Sequence, residues 1–131
     1  MVIVMALSTF AEHLKPETAL KAATTFFNNN GRKTSQLTDI SKQAGFANLY
    51  IFAAENGFVV MSADDRAKPI LGYSFTNKFE TENMLENISS WLQGYSDEIQ
   101  RLIESNEKAS SETTKQWKDL ISGKPDAAKT T

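Results

Sequence analysis

The sequence predicts an α+β domain: an antiparallel sheet of about four strands, packed with an N-terminal helix, a long helix after the sheet and a short C-terminal helix. Three features predict it. The chain opens on a helical pattern, passes through short apolar runs separated by turn residues, and changes to a period of three and four from Leu85 onward.

Each element has its own signal. In LKPETALKAATTFFNNNGRK, Pro16 suits a first helical position, Glu17 favours the positive helix start, and Asn28 to Asn30 with Gly31 form a stop. A helix over 16–29 follows, with Leu20, Ala23, Phe26 and Phe27 as its buried stripe. SQLTDISKQ predicts a weak strand and NLYIFAA a strong one, and Glu55-Asn56-Gly57 signals a hairpin because Asn and Gly accept positive φ. FVVMSA and PILGYSF complete the meander, with Pro69 at a strand entry, where its missing N–H does least harm. Ile88, Trp91, Leu92, Tyr95, Ile99, Leu102 and Ile103 then predict a long amphipathic helix, roughly 87–107. SSETTKQWKDLISGK predicts a shorter one, capped by Ser110 or Ser111, apolar at Trp117, Leu120 and Ile121, and ended by Gly123. Residues 1–123 thus read as one domain and 124–131 as a disordered tail; no internal repeat is present.

Composition narrows the function. The chain has 131 residues, enough for one core without staples. Fourteen Lys and Arg against 16 Asp and Glu give a net charge of −2, so neither nucleic acid nor an anionic membrane is an expected partner. The absence of cysteine excludes a disulfide scaffold, a thiolate nucleophile and a thiolate metal site. The apolar opening MVIVMAL is seven residues long, too short for a signal-peptide core or a membrane span.

Candidate chemistry is sparse. Asp64 and Asp65 are adjacent, and neighbouring residues on extended backbone point to opposite sides, whereas a catalytic pair must face one bond. With Arg66 and Lys68 beside them, charge pairing in a turn is the expectation. His13 is the single histidine, in a polar stretch expected to be exposed, without a second imidazole or thiol to complete a metal or base site. No phosphate loop, metal-spaced cluster or nucleophile elbow appears, so no cofactor, metal or catalytic residue is expected and the chain reads as a binder rather than an enzyme. Trp91 and Trp117 fall in apolar helical stripes and are assigned to the core. The connector SFTNKFETENMLENISS carries Phe79, Met84 and Leu85 among polar residues. They are anchors folded back onto the domain or an exposed patch for a partner, and composition favours the anchors.

Taken in order, NLYIFAAENGFVVMSADDRAKPILGYS followed by ENISSWLQGYSDEIQ resembles the propeptide of streptopain-type cysteine proteases, and ALKAATTFF fits the same pattern; the resemblance runs from about Phe10 to Gly123. It implies a domain that packs on a papain-like catalytic domain, occupies its cleft, pushes the catalytic histidine away from its cysteine, and is later cut off. It further implies that the segment entering the long helix faces the cleft. Asn87 would supply a polar side chain to the catalytic residues, with Phe79, Met84 and Leu85 as flanking contacts. An ordinary helix cap is the competing role for Asn87. The resemblance then implies an autoinhibitory propeptide that also aids folding of its protease, or a free-standing inhibitor acting in trans, and GKPDAAKTT falls about where a cleavable junction would lie. Expected localisation is secreted or periplasmic within a zymogen of a bacterial virulence protease, or cytoplasmic for a free inhibitor, and the isolated domain is expected to be a monomer. A ligand- or peptide-binding module without a protease partner is the remaining alternative.

Overall fold

The computed structural model describes residues 13–32 and 36–125; the opening MVIVMAL and the last six residues of the tail lie outside them. Chain order is α1 (Pro16–Asn29), β1 (Thr38–Asp39), α2 (Ser41–Ala44), β2 (Leu49–Ala54), β3 (Gly57–Ser62), β4 (Ile70–Ser74), α3 (Glu86–Ser105) and α4 (Ser111–Ser122). The four strands form an antiparallel meander in the order β1-β2-β3-β4. This is the predicted α+β architecture.

Both faces of the sheet are covered. Phe52, Val59 and Met61 pack with Ala19, Ala22, Ala23 and Phe27 of α1 and Trp117 of α4. Leu49, Ile51 and Val60 turn the other way, against Leu92 and Ile99 of α3. Successive strand residues alternate sides, so a strand buried on both faces needs apolar groups at consecutive positions. That is why GFVVMS lacks a polar alternation.

Several elements differ from the expected ones, each for a local reason. The predicted strand SQLTDISKQ shrinks to two residues because the Asp39 carboxylate accepts the Ser41 N–H at 2.9 Å and turns the chain into α2, which Gly45 ends at φ +79°. The Glu55–Asn56 hairpin uses no positive φ. Gly57 serves a different need, since a Cβ there would lie 2.5 Å from the Ser74 carbonyl oxygen. In α1 the buried stripe is rotated: Ala19, Ala22, Ala23 and Phe27 face the sheet, while Leu20 is exposed and Phe26 half-buried. Alanines let the helix backbone approach the strands closely, and a leucine at that distance would overfill the layer.

Polar contacts fix the helix ends and the entry to α1. Ser110 caps α4 by accepting the Thr113 N–H at 3.1 Å, and Gly123 closes it at φ +80°. Asn106 ends α3 in the left-handed region. The Tyr50 hydroxyl donates to the Leu14 carbonyl at 2.6 Å, and burial, then Asp39 and Glu17, push its pKa up. The Lys115 hydrogen bond holds the exposed Asp119 carboxyl below its usual range, a contact of little weight for stability.

Trp117 connects the last helix to the core: it is 3% exposed, and its indole N–H donates to the Ala67 carbonyl at 2.8 Å. Trp117→Ala should cost about 3–5 kcal/mol in urea unfolding, and Trp117→Phe clearly less. A loss below about 1 kcal/mol would mean that α4 is not part of the cooperative core.

Candidate functional site

The acidic pair resolves into structure rather than chemistry. Asp64 is 1% exposed, and its carboxylate accepts the Arg66 backbone N–H at 3.0 Å and Arg66 Nη1 at 2.9 and 3.0 Å. His13 Nδ1 stands 3.8 Å from the same carboxylate, with its side chain half exposed. A buried carboxylate saturated by an arginine is an anchor for a turn, and removing one partner of such a pair costs about 3–5 kcal/mol. Asp65 is half-buried and engaged in an interaction of its own. Among the described residues no three His, Asp or Glu groups converge as a metal site, and no helix is long and apolar enough to cross a membrane.

A groove of about 480 Å³ opens between the end of α1, the start of β4 and α4, with Phe26, Ile70 and Leu120 among its apolar lining and Lys68, Lys115 and Lys124 around it. Lys115 and Lys124 both reach Asp119, at 2.7 and 4.0 Å. The groove lies on the α1 side of the sheet, opposite α3. Its lining includes no Ser, Thr, Tyr or His side chain.

The connector from β4 to α3 is a more distinctive surface. Ser74 Oγ accepts the N–H groups of Thr76 and Asn77 at 3.2 and 3.0 Å and turns the chain out of the sheet. Phe79 then folds back, its ring 5.2 Å from Phe58 and nearly perpendicular to it, and Met84 is half-buried in the same cluster. Leu85 does the reverse: it occupies the N-cap position of α3 in extended backbone and is 67% exposed. Its carbonyl accepts from Ile88 and Ser89 at 3.1 and 3.0 Å and so begins the helix.

Asn87 is exposed on the first turn of α3. The capping role does not fall to it, because the helix starts at Glu86 and makes no side-chain cap bond. Of the four predicted site residues, Leu85 and Asn87 are exposed at the start of α3, and Phe79 and Met84 are half-buried against the cluster on the α3 side of the sheet.

Two neighbours escaped the sequence analysis. Ile88 is 37% and Trp91 41% exposed, so the assignment of Trp91 to the core is corrected. The buried row of α3 is Leu92, Ser96 and Ile99, and Trp91 stands one row to its side. The signal was Ser96, a polar residue in line with the core row while a tryptophan sat beside it. Trp91 is nonetheless held: its ring stands 5.3 Å from Tyr95, edge to face, and covers Gly72, where a Cβ would meet Cη2 at 2.4 Å.

Gly72→Ala should therefore push the Trp91 ring outward at a cost of about 1–3 kcal/mol. In a Trp117→Phe background, which leaves Trp91 as the sole tryptophan of the chain's two, the emission should shift to the red and quenching by iodide should rise. Unchanged emission would contradict this placement of the ring.

Comparison with known proteins adds a family. Residues 11–99 match the family model described as Spi protease inhibitor, a span that includes the whole sheet and the first part of α3 but not α4. Over 45 residues, 34% of this chain and 5% of the relative, the sequence is 38% identical to the thiol protease/hemagglutinin PrtT of Porphyromonas gingivalis. Over 54 residues, 40% of this chain and 13% of the relative, it is 39% identical to streptopain of Streptococcus pyogenes, and equally to streptopain of serotype M1. The matched stretches are thus a small part of those proteins' length. No solved structure matches the chain.

Proposed function

This chain belongs to the Spi protease inhibitor family, and on that premise we propose that it binds a papain-like cysteine protease of streptopain type and keeps it inactive. The observation that carries the proposal is the start of α3, where a folded connector within the family's matched region presents Leu85 and Asn87 outward. A papain-like enzyme works only while its thiolate and imidazole lie within hydrogen-bond reach. An inserted segment that occupies the cleft and displaces the imidazole removes the base and excludes substrate together. In this reading Asn87 supplies the polar group that enters, with Leu85 as an apolar contact. Phe79 and Met84 act from below by fixing the connector's path.

The same contact serves a covalently joined propeptide and a free inhibitor. Linkage raises the effective concentration to roughly millimolar, whereas a free domain relies on an interface of about 800 Å² per partner with a few buried anchors. The propeptide form would be exported with its protease, to the periplasm or outside the cell, and the free form would protect the cytoplasm. The half-buried Phe79 and Met84 favour a pre-formed contact over one that orders on binding, which limits the entropy lost on association.

Adding the chain to a mature streptopain-type protease should suppress peptide hydrolysis at micromolar concentration. Asn87→Ala should raise the inhibition constant about tenfold, or about 1.4 kcal/mol, without lowering the melting temperature. A fallen melting temperature with an unchanged inhibition constant would make Asn87 a purely structural residue.

A further inference from the structure

We propose that the affinity of this contact resides in the row Leu85, Ile88 and Trp91, with Trp91 as its anchor, and that the protease surface receiving it is an apolar groove with a basic rim. The inference rests on the inhibitory reading above and adds the residues that hold the complex together.

Ile88 and Trp91 lie about one turn apart on α3 and Leu85 is its N-cap residue, so the three succeed one another at intervals of three along the start of the helix. Each keeps more than a third of its surface exposed although the core row runs beside them. The surface that these three side chains leave to water is unused within the domain, and buried at an interface it provides the kind of aromatic and aliphatic anchor that dominates binding energy. Trp91 is also pre-organised, since Gly72 beneath it and Tyr95 beside it define the ring position before any partner arrives. Little side-chain entropy remains to be lost on docking.

Charge around the row identifies the rim. From Phe75 to Gln100 the chain has one basic residue, Lys78, against Glu80, Glu82, Glu86, Asp97 and Glu98. Asp97 accepts from Gln93 and Glu98 from Arg101, farther along the helix, while Glu80, Glu82 and Glu86 are exposed on the segment that leads into and begins α3. An acidic border favours a basic counterpart and speeds encounter at low salt.

The test measures association and dissociation rates of the full chain with a mature streptopain-type protease at two ionic strengths. Trp91→Ala should raise the dissociation rate about 100-fold and Ile88→Ala about tenfold, both measured well below each variant's melting temperature because the two side chains also pack within the domain. Glu80→Lys combined with Glu82→Lys should lower the association rate about tenfold at low salt and hardly at high salt. Leu20→Ala, an exposed apolar residue on the opposite side of the sheet, should change neither rate. Parent-like dissociation of both Trp91→Ala and Ile88→Ala, with Asn87→Ala still weakened, would overturn the anchor while leaving the inhibitory function standing. Failure of the unmodified chain to bind would overturn both.

Discussion

The carboxylate of Asp64, buried under the connection from β3 to β4, sets the geometry on which the other elements depend. Arg66 is drawn onto it by backbone and side chain, and Ser62 Oγ lies within reach of the carbonyls of Asp64 and Lys68 at 3.1 and 3.0 Å. The turn so formed presents the Ala67 carbonyl to Trp117 and the Ala63 carbonyl to the Leu14 N–H, tying α4 and the entry to α1 to the sheet. Arg66 Nε is buried without a partner among the described residues, so the pair is imperfect. Burying such a pair adds little net stability, yet breaking it leaves an uncompensated buried charge.

That turn also aims the site. It returns the chain as β4 beside β3, with Gly72 opposite Val60 and beneath Trp91. β4 then delivers the connector, whose Phe79 rests on Phe58, to the start of α3. A domain that acts by binding needs a rigid frame, because under the proposed inhibition a blocking side chain works only if it is held where the partner's reacting groups lie. The acids that invited a catalytic interpretation thus belong to the frame, and the surface they position lies about twenty residues later in the chain.

Much of this was legible in the sequence. Pro16, Ser110 and Gly123 marked helix ends by their own backbone chemistry, and the apolar runs of β2 and β3 marked strands; the structure places each of them accordingly. What failed depended on tertiary contact. Leu20 and Ala19 are both compatible with a helical stripe, and only the closeness of the sheet decides for alanine. Trp91 and Leu92 share one periodic pattern, and only the position of β4 leaves the tryptophan outside. Asn87 is a good capping residue by type, but the backbone of Leu85 starts the helix two residues earlier.

The central claim is that the start of α3, beside the edge strand β4, faces the protease. Hydrogen–deuterium exchange of the chain alone and bound to a mature streptopain-type protease tests it most directly. The first N–H groups of a helix have no intrahelical partner and exchange quickly in the free domain. Binding should slow exchange at residues 79–92 and leave the groove between α1 and α4 unchanged. Protection confined to that groove, with the start of α3 exchanging as before, would contradict the account.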